Sequence, residues 1–420
     1  MKGPTMKLHR STGLAAAAVV TALAVSGCAT RASESGGGGG NVKTDVGVTE
    51  KTITLGAMSD LSAVFAPLGQ TLVAGNQLYF QERNADGGIC GRQVELEVVD
   101  HGYDVQKATS QFIDLEPDVL GFVQLLGSPV VAALSPQIAS SGAVTIPTTW
   151  STDWLDKESL VVVGASYPND IINGLDHLLR AGKLKAGDTI GHVYFEGDYG
   201  SNAVDGSEFA AGKLGLEVEA VAVEPTATDL TSQVNRLRSA EVSAILVSAG
   251  PRQTASIAGV AAASGLDVPI LANGPGFDPA LLKTPVGGAL KKNLYVATSY
   301  EPYAGPSETA QKVATAWAEA NKGKEPTIFV NYGYASAAVL GQALDAACDN
   351  GDLTRAGVEE ALRGLDAVDT GLMPILDLTD ASTMPTTDSF ISRVEAGKPG
   401  GLAVVEEPFT SEVAAEYAAR

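Results

Sequence analysis

The segment Gly127-Ser128-Pro129 combines residue types that favour an anion-binding site at the start of a helix. An apolar run that predicts a strand ends at Leu125 or Leu126, and proline suits the first position of a helix. We therefore predict that Ser128 is the N-cap, with its hydroxyl and the free N–H groups of the first turn facing outward. Ligands of open α/β sheets bind beyond the carboxyl ends of strands, and a helix N-terminus attracts negative charge. A simple N-cap that binds no ligand is the alternative interpretation.

The motifs of common enzyme classes are missing from the chain. No serine has glycine two positions before and after it, no Gly-Lys pair precedes Ser or Thr, and no His-Glu-x-x-His occurs. We expect the scattered His101, His177 and His192 to be surface or core residues, and we predict neither a metal nor a cofactor. Carboxylates are plentiful, so a glycosidase-like pair on a membrane-anchored enzyme stays open as a less favoured alternative.

The composition excludes several other classes of protein. Of the 420 residues, 45% are apolar and 18% are charged, which is an ordinary globular balance and not that of a disordered or polytopic membrane protein. The 49 acidic and 28 basic residues give a net charge of −21. Such a surface repels phosphate backbones, so we expect no nucleic-acid partner.

Residues 1–27 are predicted to be a signal peptide. Lys2, Lys7 and Arg10 form a basic start, and the apolar run that follows is too short to span a bilayer, which needs about 20 residues. The segment Val25-Ser26-Gly27-Cys28 resembles the bacterial lipobox. This resemblance implies that Cys28 becomes the lipidated first residue of the mature protein. The alternative is an ordinary secretory signal that happens to contain a cysteine.

Residues 28–50 are predicted to form a flexible tether. They include five successive glycines, Gly36 to Gly40, whose backbone entropy cost is too large for a folded segment. A tether behind a lipidated cysteine would hold the protein on the extracytoplasmic face of the cell membrane.

From Thr52 onward, short β-rich runs alternate with helical segments. This alternation predicts an α/β protein with two Rossmann-like lobes, each with a parallel central sheet, joined by a hinge. We predict strands at 52–57, 94–99, 119–125, 143–146, 189–195, 216–223, 244–247 and 268–271. We predict helices at 68–84, 105–116, 130–141, 171–181, 202–214, 230–239, 254–264, 308–321, 331–348 and 354–362. The first lobe would comprise 51–167 and 298–370, and the second 168–297 and 371–410.

An ordered series of segments carries a family resemblance from Thr52 to about Val405. Its members are Ile53 to Ser59, Asn84 to Ile89, Val99-Asp100-His101, Gly127-Ser128, Glu196-Gly197-Asp198-Tyr199-Gly200, and Asp229 to Val247. The series resembles the branched-chain amino acid-binding family, which are type I solute-binding proteins of ABC importers. The resemblance implies a monomeric, non-enzymatic lipoprotein that closes two lobes over a small ligand and delivers it to ABC permease subunits. A ligand-sensing module for a membrane receptor is the second interpretation.

The resemblance also implies a set of ligand-binding residues at strand ends. Gly127 and Ser128 would contact a ligand carboxylate, and Thr148 and Thr149 would add polar contacts. Tyr199 would cover the ligand from the second lobe, unless it is a surface tyrosine in a turn.

Two positions depart from the family pattern. Trp150 stands where the family usually has a hydroxyl, and it would either form an apolar wall with one N–H donor or serve only in packing; Ser151 could supply the hydroxyl instead. Asn273 lies where the family commonly carries an acid for the ligand ammonium. Either another acid such as Asp60 supplies that charge, or the ligand has no ammonium group. The ligand class therefore stays open among amino acids, amides and small organic acids.

Cys90 and Cys348 remain after lipidation of Cys28, in a compartment that permits disulfides. Both belong to the first lobe as predicted, so a bridge would tie its returning helices to the N-terminal unit. Two free buried thiols are the alternative.

Overall fold

The computed structural model describes residues 42–157 and 159–420. The predicted signal peptide, the lipidation site Cys28 and the glycine-rich part of the tether lie outside the described residues. The end of the predicted tether, residues 42–50, lies within them, and residues 43 and 44 form a short strand there. Lys43 in this strand forms an ion pair with Asp352 at 2.9 Å.

The described chain alternates strands and helices over most of its length. The strands are β1 Lys43–Thr44, β2 Thr52–Ser59, β3 Gln93–Asp100, β4 Phe122–Leu126, β5 Thr145–Thr148, β6 Thr189–Phe195, β7 Glu217–Val223, β8 Ala244–Ser248, β9 Ile270–Asn273, β10 Leu294–Thr298, β11 Asp352–Leu353, β12 Ser389–Val394 and β13 Leu402–Phe409. The helices are α1 Ala66–Ala85, α2 Val105–Leu115, α3 Ser128–Ser141, α4 Tyr167–Arg180, α5 Asp198–Leu214, α6 Thr231–Ser239, α7 Pro251–Ala263, α8 Gly287–Asn293, α9 Glu308–Ala320, α10 Phe329–Asp349, α11 Arg355–Arg363 and α12 Glu412–Ala418. None of these helices is long and apolar enough to cross a membrane.

The strands build two main sheets, which confirms the predicted α/β fold with two lobes. The first lobe has four parallel strands in the order β3-β2-β4-β5. The second has seven strands in the order β13-β12-β10-β9-β8-β6-β7. In this second sheet the five strands β6 to β10 are parallel, while β12 and β13 add an antiparallel edge. Every residue of β4 and β8 is buried, as expected for parallel strands covered on both faces.

Helix α10 packs along α1 at a distance that only glycine permits. A Cβ on Gly75 would lie 2.3 Å from the carbonyl oxygen of Val330, and one on Gly333 would lie 2.1 Å from that of Leu72. The close contact lets the Asn76 amide donate to the Gly333 carbonyl at 2.7 Å. The late helix α10 is thereby fixed to the N-terminal helix of the first lobe.

The predicted elements agree with the structure except toward the C-terminus. Strand β6 has the predicted bounds, and α3, α4 and α5 begin two to four residues earlier than predicted. Sequence reasoning missed β10, β12 and β13, all of which belong to the second sheet. The residue bounds proposed for the two lobes stay a prediction.

The structure brings Cys90 and Cys348 together and joins their sulfur atoms, with the two Cα atoms 5.9 Å apart. Cys90 lies in the turn between α1 and β3, at φ 54°, and Cys348 lies in the last turn of α10. The bridge spans a sequence separation of 258 residues, so breaking it would free a long loop in the unfolded chain.

We expect replacement of both cysteines by serine to lower the free energy of unfolding by about 2–5 kcal/mol, because the unfolded chain gains entropy. Thermal denaturation measures the change. Reducing agent should lower the melting temperature of the wild-type protein to that of the double variant, and it should leave the variant unchanged. Two alkylatable thiols in the unreduced, denatured protein would contradict the bridge.

Candidate functional site

A narrow cavity lies between the two lobes, where the carboxyl ends of β4 and β5 face the elements that follow β6 and β9. Its lining residues are Phe65, Leu68, Tyr103, Leu126, Gly127, Ser128, Thr148, Trp150, Tyr167, Tyr199 and Pro275. None of them is charged, and five carry hydroxyl groups. Larger grooves exist on the surface, for example around Pro326 and Pro399, but none of the residues that follow β4, β5, β6 or β9 directly lines them. The interlobe cavity is therefore the candidate binding site.

The turn after β4 differs from the predicted N-cap arrangement. Gly127 is the residue before the helix, at φ 107°, and Ser128 is the first helical residue. A Cβ on Gly127 would also lie 2.7 Å from the ring of Tyr103, so glycine is required here for two reasons. The expectation that Ser128 caps the helix is therefore wrong.

The start of α3 also offers fewer free N–H groups than predicted. The amides of Val130 and Val131 both donate to the Gly127 carbonyl, and Pro129 has no N–H group. Ser128 is buried, and its hydroxyl shares a hydrogen bond of 2.7 Å with that of Thr149. Hydroxyl groups, more than helix amides, therefore give this end of the cavity its polar character.

The end of β5 supplies one hydroxyl and one aromatic wall. Thr148 lines the cavity, whereas Thr149 lies behind it as the partner of Ser128. Trp150 also lines the cavity, and its indole N–H donates to the carbonyl of Val163 at 2.9 Å. The indole is therefore an apolar wall whose donor is already used. It packs at the same time against Tyr332, with ring centroids 4.7 Å apart, so Trp150 has a packing role as well as its place in the cavity lining.

Ser151 does not take the place of the missing family hydroxyl. It is fully buried outside the cavity lining, and its side chain accepts the backbone N–H of Asp153 at 3.2 Å. Ser151 thereby caps the short 3-10 helix Thr152–Trp154.

Tyr199 reaches the cavity from the second lobe. It is 7% exposed, which excludes the interpretation as a surface tyrosine, and its ring centroid lies 4.4 Å from that of Tyr167. Its buried hydroxyl has no hydrogen-bond partner among the described residues. Burial raises the pKa of Tyr199 well above its usual value, so the hydroxyl stays protonated and can donate to a ligand acceptor.

Asp198, beside Tyr199, is a site residue that sequence reasoning missed. Both of its carboxyl oxygens are buried and make no hydrogen bond within the described part of the chain. Burial raises the pKa of Asp198 to about 6, and the neighbouring carboxyl of Asp153 adds to the shift. The nearby hydroxyls of Ser151 and Ser128 oppose it. An acid straight after Gly197 at a strand end was the signal that could have identified it.

Asn273 and Asp60 support the site from outside the cavity lining. The side-chain amide oxygen of Asn273 accepts from the Ser248 hydroxyl at 2.7 Å, which fixes the end of β9. The Asp60 carboxylate accepts backbone N–H groups from Ser62, Ala63 and Phe65 at 2.7–3.1 Å. It organises the loop before α1 and does not face the cavity, so the suggestion that Asp60 pairs with a ligand ammonium is not supported.

The three histidines in the described part of the chain have partners within the fold. His101 is buried and accepts the backbone N–H of Tyr103, while His192 bonds Ser207 and Ser248 in the second sheet. Burial lowers the pKa of His192 to about 3, so it is neutral. His177 pairs with Glu406. No group of three or more His, Cys, Asp or Glu side chains in the described residues could hold a metal ion.

Comparison with known proteins identifies the family. Residues 52–399 match the model of a family described as periplasmic binding protein. None of the curated proteins compared matches the chain.

Solved structures show the same fold. A fatty acid ABC transporter substrate-binding protein from Thermomonospora curvata is 41% identical, with 90% of this chain and 97% of that chain covered and a TM-score of 0.88. A branched chain amino acid ABC transporter protein from Thermus thermophilus with bound valine is 20% identical, with 89% of this chain and 100% of that chain covered and a TM-score of 0.77. A leucine-binding protein from Thermotoga maritima is 19% identical, with 86% of this chain and 99% of that chain covered and a TM-score of 0.73.

The match over residues 52–399 and the 41% identity over most of both chains agree with the two-lobed fold. The chain belongs to the periplasmic binding protein family, and it is an extracytoplasmic solute-binding protein and not an enzyme.

Proposed function

We propose that the protein is the substrate-binding component of an ABC importer and that it captures a long-chain monocarboxylate, as in a fatty acid. The observation that carries this proposal is the lining of the interlobe cavity, which has hydroxyl donors and apolar walls but no charged side chain. A carboxylate needs donors such as Ser128 and Tyr199, whereas an amino acid also needs an acid for its ammonium group. The 41% identical protein from Thermomonospora curvata, which carries fatty acid in its name, supports this ligand class.

A branched-chain amino acid is the second candidate. Asp198 favours it, because a buried carboxyl group beside Ser128 could attract an ammonium group from behind the cavity lining. The proteins that are named for valine or leucine are 20% or less identical to this chain, so they support only the fold.

Lobe closure is the proposed mechanism of capture. The cavity is small: the volume open to the centre of a water molecule is about 20 Å³, which is room for about one water. A ligand must therefore bind while the lobes are apart. Contacts that form on closure, such as the Asn202 amide donating to the Thr152 hydroxyl at 2.7 Å, then favour the closed population.

The cellular setting completes the proposal. Residues 1–27 would be removed, Cys28 would carry the lipid, and the glycine-rich tether would keep the lobes near the outer face of the membrane. The closed form would dock on the permease subunits, whose ATPase drives release.

Ligand class is the first test of the proposal. We expect dodecanoate to bind in isothermal titration calorimetry and valine and leucine not to bind, because the cavity lining has no acid for an ammonium group. Dodecanol, which has the same tail and no charge, should bind more weakly. Tighter binding of valine or leucine than of dodecanoate would overturn the proposed ligand class.

Tyr199→Phe should weaken dodecanoate binding on the order of tenfold or more, because it removes a donor to a charged acceptor, worth about 1.5–3 kcal/mol. The melting temperature should not fall, since the hydroxyl has no other partner among the described residues. Tyr303→Phe is the matched control: its hydroxyl donates to the Ala314 carbonyl at 3.1 Å outside the cavity, so stability and not affinity should change. Unchanged affinity in Tyr199→Phe would show that the hydroxyl does not contact the ligand.

The charge of the ligand can be determined from proton linkage at Asp198. An anion beside Asp198 raises its pKa above the free value of about 6, so the complex takes up protons and affinity falls as pH rises above about 6. An ammonium group would have the opposite effect. Calorimetry in buffers of different ionisation enthalpy measures the proton uptake, and Asp198→Asn should abolish it. Proton release on dodecanoate binding would contradict this arrangement.

A further inference from the structure

A second cavity, here called the outer groove, adjoins the inner cavity. It lies between the loop that leads into α1 and the segment that follows β9, with the start of α7 beside it. The centre of a water molecule can move through about 260 Å³ of the outer groove, against about 20 Å³ of the inner cavity. The two cavities have three lining residues in common, Phe65, Leu68 and Pro275, so these side chains form the wall between them.

The outer groove is suited to an aliphatic chain. Most of its lining is apolar and comes from both lobes, including Val64 and Phe329 on one side and Phe277 and Leu281 on the other. Its charged residues are Arg252, which is exposed, and Asp278, whose carboxylate accepts the backbone N–H of Ala280 at 2.8 Å. Apolar surface from both lobes means that closure buries whatever lies in the groove.

The inner cavity cannot hold a long ligand whole. Its space is sufficient for about one water, which is far less than a chain of methylenes requires. A head group at Ser128 and Tyr199 therefore requires the tail to leave the inner cavity, and the outer groove adjoins it.

We propose that the outer groove binds the distal methylenes of a long-chain monocarboxylate and that the Phe65 side chain is the gate that the chain passes. This inference rests on the proposed function and extends it to the position of the tail.

The position and contacts of the Phe65 ring suit a gate that responds to lobe closure. Its backbone N–H donates to the Asp60 carboxylate at 2.8 Å, so its position on the loop is fixed. Its ring lies 5.1 Å from that of Tyr103 on the same lobe and 6.5 Å from that of Phe195 on the other. Separation of the lobes would remove the contact with Phe195 and free the ring to turn aside, and closure would hold it against the chain.

Affinities for octanoate, dodecanoate and hexadecanoate test the position of the tail. In the wild-type protein, affinity should rise with chain length by up to about fourfold per buried methylene. Leu281→Ser changes the lining of the outer groove and not that of the inner cavity, so it should weaken hexadecanoate binding at least tenfold and octanoate binding less, because the shorter chain reaches less of the groove. Ile113→Ser, at a side chain that is 59% exposed and outside both cavities, is the matched control and should change neither affinity.

Photolabelling locates the end of the chain directly. A hexadecanoate analogue with a diazirine near its terminal methyl group should label peptides that contain Phe277 or Leu281, and mass spectrometry identifies them. In Phe65→Ala, dissociation of hexadecanoate should quicken by tenfold or more, while dissociation of octanoate should change less, because the gate acts on the chain.

The outcomes separate this inference from the proposed function. If carboxylates bind but affinity does not depend on length, or if the diazirine labels Trp150 or Tyr167, the tail does not lie in the outer groove and the inference fails while the function stands. If no carboxylate of any length binds, both are overturned.

Discussion

The requirement that buried polar groups find partners governs this binding site. The closed cleft buries the Tyr199 hydroxyl and the Asp198 carboxyl group without a hydrogen bond inside the described residues. Each such group costs about 1–3 kcal/mol relative to a paired one. A ligand that accepts from Tyr199 removes part of that cost only when the lobes are together. On the proposed mechanism of capture, the gain exists in the closed state alone, so ligand binding would shift the population of lobes toward closure.

On the proposed function, the binding site has two compartments of different polarity. Hydroxyl groups are concentrated around Ser128 and Tyr199, at the carboxyl end of β4 and the start of α5, whereas the outer groove presents mostly apolar side chains. The Asp60 carboxylate organises the loop that carries Phe65, so the boundary between the compartments depends on a charge that the ligand does not contact. A ligand with a polar head and an apolar tail matches this order of environments. On the proposed function, the first residue of α5 also makes the affinity sensitive to pH.

The architecture could be predicted from sequence because parallel strands covered on both faces are continuous apolar runs, as in β4 and β8. The strands missed after Leu294 have weaker signals. β13 contains two glutamates and a proline, which lower its β propensity, and it lies at the edge of the sheet, where such residues are tolerated. The short β10 is buried along its length, but no helix follows it at the usual spacing.

The sequence predicted the site residues that lie at strand ends, and it did not predict those whose position results from packing between distant segments. Ser128, Thr148, Trp150 and Tyr199 line the cavity because each lies at the end of a strand or shortly after it. Gly127 precedes α3 with a φ of 107°. The sequence did not predict this, because the Ser128-Pro129 pair favours serine as the N-cap. Asp198 becomes buried because α5 begins next to the Thr152–Trp154 turn, a contact between distant parts of the chain.

The overall charge of the protein sets a final constraint on ligand choice. A net charge of −21 opposes the approach of an anion, and in physiological salt that repulsion is screened beyond about 8 Å. At shorter range, the inner cavity is lined by no charged side chain that could compensate, and Arg252 lies only at the groove. Burial of an apolar tail, at about 25 cal/mol per Å², is independent of charge and can exceed the remaining repulsion. Small anions share the carboxylate but lack the tail, so the length of the apolar chain and not the charge of the head distinguishes the proposed ligand from them.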